Sequence, residues 1–235
     1  MDLSVVIPVY NEAENVKPLF LELRDVLTQL RTEWEVIVVD DGSIDETFER
    51  LRDLQAEEKR IHVIRFRANA GQTAAFDAGF KAARGDVVVT MDGDLQNDPR
   101  DIQTLLAALE RYDVVCGWRW ARRDPWIRKV SARIANAVRN RVSGDTIHDT
   151  GCTLKAFRGE CLSHLKLYRG MHRFFPTLLK LKGYRVTEVR VSHRPRLHGQ
   201  SKYGIRNRLF IGLADLWAVR WMKKRQLRYE IERSE

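Results

Sequence analysis

Asp92 and Asp94 stand on either side of a single glycine in Met91-Asp92-Gly93-Asp94-Leu95-Gln96, directly after an apolar run. Two carboxylates so spaced at the end of a buried strand can both turn toward one hard cation. Octahedral Mg²⁺ or Mn²⁺ keeps several waters and takes its remaining oxygens from substrate phosphates. The tripeptide therefore outlines a site for a metal-bound diphosphate, the plainer alternative being a solvated Asp-Gly turn. Two further polar groups follow apolar runs in the same way, Tyr10-Asn11-Glu12 and Asp40-Asp41-Gly42-Ser43. Turn chemistry explains any one of them, but three acidic tips on one sheet edge point to binding.

Such tips need a sheet behind them. Residues 4–9, 34–39 and 86–91 are short runs rich in Val and Ile and read as buried parallel strands, with residues 62–65 as a further short one. Between the first two, Val16, Leu19, Phe20, Leu23, Val26, Leu27 and Leu30 fall at helical spacing, and residues 45–54 and 73–84 look helical too. Strands alternating with helices predict right-handed βαβ units in a doubly wound α/β sheet, in which ligands collect at the carboxyl ends of the strands. Beyond Gly117 the pattern loosens. Residues 126–142 and 206–224 read as basic amphipathic helices, the second with Leu209, Leu213, Trp217 and Trp221 along one stripe and Phe210 and Leu216 beside it.

A net charge of +9 conceals a division. Residues 1–116 carry 13 Lys and Arg against 23 Asp and Glu, whereas residues 117–235 carry 28 against 9, so the halves stand at −10 and +19. The basic half is suited to face something polyanionic: nucleic acid, diphosphate groups or an anionic membrane. Its aromatic residues are not interleaved as in a nucleic-acid module, which argues against a non-enzymatic nucleic-acid binder. No glycine-rich basic loop follows the first strand, as a phosphate-loop nucleotidyltransferase would require. Cys116, Cys152 and Cys161 are odd in number and lack paired metal-ligand spacing, so a reducing cytoplasm is expected. Neither an export signal nor a run of about 18 apolar residues is visible.

The chain resembles a family 2 glycosyltransferase. Val5-Val6-Ile7-Pro8-Val9-Tyr10-Asn11-Glu12 is similar to the family's opening strand and loop, Val39-Asp40-Asp41-Gly42-Ser43 to its second, and Asp92-Gly93-Asp94 to its Asp-x-Asp motif. Within the family, Asp94-Leu95-Gln96, Gly117-Trp118-Arg119 and Asp149-Thr150-Gly151-Cys152 resemble the dolichyl- and undecaprenyl-phosphate enzymes, of which dolichyl-phosphate mannose synthase is one kind. The most specific match is His193-Arg194-Pro195-Arg196-Leu197-His198-Gly199-Gln200-Ser201-Lys202-Tyr203. The resemblance implies a GT-A fold, with a Rossmann-like, mostly parallel sheet. It also implies inverting, metal-dependent transfer of a sugar from a nucleotide-sugar to a polyprenyl phosphate at the cytoplasmic membrane face.

By the same resemblance, Pro8, Tyr10, Glu12, Val38 and Asp40 hold the nucleotide base and ribose, and Asp92, Gly93, Asp94 and Gln96 hold the donor diphosphate, with Asp92, Asp94 and Gln96 on Mg²⁺ or Mn²⁺. Arg128, Arg196 and Lys202 contact the donor diphosphate or the acceptor phosphate, which suits the fork of Arg and the point charge of Lys. Asp149 matches a family Asp. Because a phosphate acceptor is anionic near neutral pH and needs little or no general base, Asp149 stands either as a base or as a positioning group. The expected organisation is a glycosyltransferase domain over residues 1–203 and a basic amphipathic helix and tail over 204–235. Many such enzymes continue into transmembrane helices after the Ser-Lys segment. Here the expectation is peripheral contact with the membrane through Trp126, Trp217, Trp221 and nearby cations, or through a membrane-protein partner. The competing reading within the class is transfer to a hydroxyl of a glycan, which needs a well-placed general base.

Overall fold

The computed structural model describes residues 1–120, 147–196 and 205–226, and of residues 205–213 the main chain only. The helix expected over residues 126–142, with Trp126 and Arg128, and Lys202 lie outside the described residues. Leu3–Val9 (β1), Trp34–Asp40 (β2), Ile61–Arg65 (β3), Val87–Thr90 (β4), Val114–Arg119 (β5), Lys155–Arg158 (β6) and Val186–Val191 (β7) form one sheet in the order β3-β2-β1-β4-β6-β5-β7. All pairings are parallel except that β6 runs antiparallel between β4 and β5. The helices are Ala13–Gln29 (α1), Thr47–Glu57 (α2), Gln72–Ala82 (α3), Asp101–Leu109 (α4), Gly159–Leu162 (α5), Phe175–Leu181 (α6) and Ile205–Lys224 (α7).

The two-residue period of the strands divides the core. Val5, Ile7 and Val9 of β1 and Val36 and Val38 of β2 face α1, α2 and α4, where Leu19, Leu23, Leu51, Leu54 and Leu105 meet them. Val6, Ile37 and Val39 point the other way, onto Ala75 and Phe76 of α3 and Phe175 and Leu179 of α6. Burial on both faces is why these strands are continuous in Val and Ile rather than alternating with polar residues. Helix α7 packs with Leu216 and Val219, which are buried against Phe174, with Leu178 beside them. Trp217 and Trp221 are 66 % and 63 % exposed. The stripe expected from Trp217 and Trp221 is thus the outward face, and the packed face is the neighbouring one.

Strands β2 and β3 lie to one side of β1 and β4 to the other, so the chain reverses its winding between β1 and β4. That is where a doubly wound sheet opens a crevice at its carboxyl edge. Pro8 widens it. The β1–β4 ladder stops at Val6 opposite Thr90, and the Val6 carbonyl accepts the Met91 N–H at 3.1 Å. Pro8 shares the parity of Val6, so its missing N–H faces the side where no partner strand remains.

The opposite, amino edge is pinned by Glu35. Its carboxylate accepts from Ser4 Oγ (2.7 Å), the Arg84 N–H (2.9 Å) and Arg84 Nε and Nη2 (3.0 and 2.6 Å), joining β1, β2 and the turn before β4. Burial works to raise the Glu35 pKa, but the bonds from Arg84 and Ser4 outweigh it and hold it below the ordinary 4.5. Glu35→Ala is expected to lower unfolding free energy by about 2–4 kcal/mol, since the Arg84 N–H loses its carboxylate acceptor. Urea titration measures this. A carboxyl whose native pKa is depressed gives stability that is full above about 4.5 and is lost as the pH falls through the lowered native value. The wild-type advantage over the variant should therefore shrink only on the acid side.

Candidate active site

The first two strand tips are knitted to each other. The Asn11 N–H donates to Ser43 Oγ and the Ile44 N–H to Asn11 Oδ1, both at 2.9 Å, with Asn11 at a φ of 51°. The Glu12 N–H donates to Thr47 Oγ1 at 2.8 Å, and the Glu12 carboxylate accepts from Asn15 Nδ2 at 2.6 Å. Asp41 is occupied in structure: it accepts the Ala70 and Gly71 N–H groups at 2.7 and 3.0 Å, and burial raises its pKa in spite of them. Asp40 is different. It is fully buried at the end of β2, its Oδ1 takes the Ser43 N–H at 2.9 Å, and its Oδ2 has no hydrogen-bond partner, with Arg65 Nε 3.6 Å away. A buried carboxylate oxygen in that state can accept an N–H or O–H from a ligand. The Val38 side chain faces away from these tips into the core, so only its main chain could serve a nucleotide.

Gly93 must be glycine. A Cβ there would lie 2.6 Å from Val9 Cγ1, so the residue between the two aspartates has to be bare for the loop to close over β1. Asp92 is gripped on both oxygens, by Gln72 Nε2 at 2.9 Å and by Thr153 Oγ1 at 2.5 Å, and its N–H donates to Asn97 Oδ1 at 3.0 Å. Burial first, and then the charge of Asp94, push Asp92 up to about 6, against the opposing pull of Thr153, Arg119 and Lys155. Asp94 Oδ1 accepts the Gln96 N–H at 3.1 Å, with Leu95 between them at a φ of 63°, and Asp94 Oδ2 lies 2.5 Å from Arg196 Nη2. Lys155 is 3 % exposed and donates to the Cys152 carbonyl.

On the wall formed by β5, Arg119 Nε and Nη2 fork onto the two oxygens of Asp149 at 2.7 and 2.8 Å. The Asp149 and His148 N–H groups donate to Glu188 of β7, which fixes the loop that carries Asp149. On the other face of β5, Trp118 stacks on His148 with ring centroids 4.4 Å apart. The fold thus brings Asp92, Asp94, Gln96, Asp149 and Arg196 to one edge with the Tyr10–Glu12 and Asp40 tips, whereas Arg128 and Lys202 lie outside the described residues. Sequence reasoning assigned no role to Arg119, Gln72, Thr153 or Lys155. Arg119 stood within the Gly117-Trp118-Arg119 motif, but the other three reach the site only through long-range packing.

Residues 4–165 match the family model described as glycosyl transferase family 2. The chain belongs to that family. Among similar proteins, the dodecaprenyl-phosphate galacturonate synthase of Rhizobium johnstonii is 39% identical over 97% of this glycosyltransferase and 69% of that protein. The undecaprenyl-phosphate 4-deoxy-4-formamido-L-arabinose transferase of Aeromonas hydrophila is 39% identical over 86% and 63%. The chain spans about two thirds of the length of these relatives. The crystal structure of glucosyl-3-phosphoglycerate synthase from Mycobacterium tuberculosis with Mn²⁺, UDP and glucosyl-3-phosphoglycerate superposes with a TM-score of 0.63 at 18% identity, over 95% of this chain and 77% of that one. The sheet of the glycosyltransferase is accordingly that of the GT-A fold.

No group of three or more His, Cys, Asp or Glu able to hold a metal is found among the described residues. The Asp92 and Asp94 pair is nevertheless hard and oxygen-only, burial and the neighbouring Asp94 charge raise the Asp92 pKa, and Arg196 stands as a cation on Asp94. Such a pair fits Mg²⁺ or Mn²⁺ whose other ligands are water and phosphate. The Arg119–Asp149 fork gives a separate expectation. Asp149→Ala leaves a buried guanidinium without its carboxylate and should cost about 3–5 kcal/mol in urea unfolding. The double change Arg119→Met with Asp149→Leu should recover most of that stability without recovering activity.

Proposed function

We propose that this glycosyltransferase moves a sugar from a nucleotide-sugar to a polyprenyl phosphate, with inversion, using Mg²⁺ or Mn²⁺, at the cytoplasmic face of a membrane. The observation that carries the reading is the pairing of an acidic tip, Asp92 and Asp94, with the cations Arg196, Arg119 and Lys155 at the crevice between β1 and β4. The relatives named for polyprenyl-phosphate substrates support the acceptor class. In this reading Pro8, Tyr10, Glu12, the main chain at Val38, and Asp40 receive the nucleoside, the free oxygen of Asp40 accepting from it. Asp92, Asp94 and Gln96 would hold the metal, whose bound charge stabilises the departing nucleoside diphosphate.

The remaining chemistry belongs to the chain's own groups. A phosphate monoester is already an anionic nucleophile, and the site offers it cations rather than a base. Asp149 has both oxygens on Arg119, so its role is to hold that guanidinium toward the acceptor side. Cys152 is an unsuitable covalent nucleophile, because burial pushes its thiol to about 11. Direct displacement by the acceptor phosphate oxygen on the anomeric carbon follows, which inverts the centre. Arg196, with Arg128 and Lys202, would meet the phosphates of donor and acceptor. No helix among the described residues is long and apolar enough to cross a membrane. The exposed Trp217 and Trp221, next to Arg220, Lys223 and Lys224, suit the headgroup layer of an anionic bilayer.

Chelation or Asp94→Asn is expected to abolish transfer, and Arg196→Ala to cost about 2–4 kcal/mol of transition-state stabilisation. The assay is radiolabelled sugar recovered with polyprenyl phosphate, polyprenol and an oligosaccharide tested side by side. Labelling of the polyprenyl phosphate alone is expected, and labelling of the oligosaccharide alone would sink the acceptor assignment. In flotation with vesicles, the wild-type protein should rise with anionic lipid, less so at high salt. Trp217→Ser with Trp221→Ser should bind more weakly, whereas equal behaviour of the two proteins would turn attention to docking on a membrane protein.

A further inference from the structure

Arg194, two residues before Arg196, is bound to the acidic loop by both main chain and side chain. Residues 192–196 leave β7 and pass along that loop, beginning with the Ser192 N–H on Asp101 Oδ2 at 2.7 Å. The Arg194 N–H then donates to the Gln96 carbonyl at 2.9 Å, and Gln96 Nε2 donates back to the Arg194 carbonyl at 3.3 Å. The Arg194 guanidinium spans two carboxylates from different elements, Glu22 Oε2 of α1 at 2.6 Å and Asp98 Oδ2 at 2.9 Å. Arg100 first, and Arg194 with it, hold the Asp98 carboxyl down to about 2, so Asp98 meets Arg194 as a carboxylate across the physiological range.

Pro195 carries that anchorage forward. It fixes its own φ and keeps the residue before it out of the helical region, so the segment from Arg194 to Arg196 is stiff and extended. Side chains two apart in an extended chain project to the same side. With Arg194 clasped between Glu22 and Asp98, Arg196 is delivered onto the same loop four residues earlier, where its Nη2 reaches Asp94 Oδ2 at 2.5 Å. A lysine at 194 could not bridge both carboxylates in this way, because it lacks the planar fork.

We propose that Arg194 is a positioning residue that aims Arg196 at the acidic pair through the Glu22–Arg194–Asp98 clasp, a role that rests on the reading of Arg196 given above. The clasp makes the direction of Arg196 a property of the folded protein before any substrate arrives. The Arg194 guanidinium is itself engaged by Glu22 and Asp98.

Two measurements test this, one of them independent of catalysis. In hydrogen–deuterium exchange of the free protein, Arg194→Ala should speed exchange of the peptide spanning residues 192–196, whereas Arg196→Ala should leave it as slow as wild type. In a double-mutant cycle on kcat/KM for polyprenyl-phosphate transfer, Arg194→Ala should cost roughly tenfold or more in the wild-type background and less than about twofold when Arg196 is already alanine. Glu22→Gln, which removes one jaw and leaves the loop intact, should show the same pattern more weakly and serves if Arg194→Ala folds poorly. Equal losses in both backgrounds, or unchanged exchange in Arg194→Ala and Glu22→Gln, overturn the proposal. If the wild-type protein transfers nothing to polyprenyl phosphate, the acceptor assignment fails, and the exchange result still decides the role of Arg194.

Discussion

Two carboxylates held one glycine apart at a dry strand tip repel each other, and much of the surrounding structure answers that repulsion. Desolvation and mutual charge drive Asp92 upward to about 6, and the fold spends hydrogen bonds from Gln72 and Thr153 on keeping its geometry. Lys155 is buried in β6, Arg119 projects from β5, and Arg196 arrives from beyond β7, so three separate elements bring positive charge to one point. At that point cations from the basic second half of the chain meet carboxylates from the acidic first half.

The strands that carry the acidic tips were legible because each is buried on both faces and bounded by turn residues. Ser4–Val9 and Trp34–Val39 differ from the observed strands by a single residue each. Three strands escaped that reading. β6 is four residues long, β5 is interrupted by Gly117 and Arg119, and β7 by Thr187, Glu188 and Arg190, so none shows a long apolar run. Their assignment depends on partners far away in sequence, as in the pairing of Val87 with Arg158 and of Val114 with Val186.

The site divides along the same line. Asp40, Asp92 and Asp94 announce themselves by following apolar runs, and Asp149 and Arg196 by motif. Gln72, a helix-starting residue after a glycine, and Thr153, one hydroxyl in a loop, carry no local mark. Each becomes visible only when α3 and the approach to β6 converge on Asp92. The amphipathic reading of α7 offered Trp217 and Trp221 to a membrane surface, and both are exposed, but hydropathy ranks Trp beside Leu and so did not single out the face that packs. Packing here selects Leu216 and Val219, which fit against Phe174.

The reversed direction of β6 has a consequence for how the fold can vary. Because β6 runs antiparallel to β5, the chain leaves the tip of β5 and re-enters the sheet at the same edge, with Cys116 opposite Lys155. A parallel strand would have required a crossover along the body of the sheet, tying the length and composition of residues 120–154 to the core. As built, the chain returns beside the reactive groups instead, and residues 147–154 are tied to them, Asp149 on Arg119 and Thr153 on Asp92, while Cys152 and Leu154 enter the core. A change of sequence that reached residues 147–154 would therefore alter the acceptor wall and the grip on Asp92 together, so that the two halves of the site can vary only in concert there.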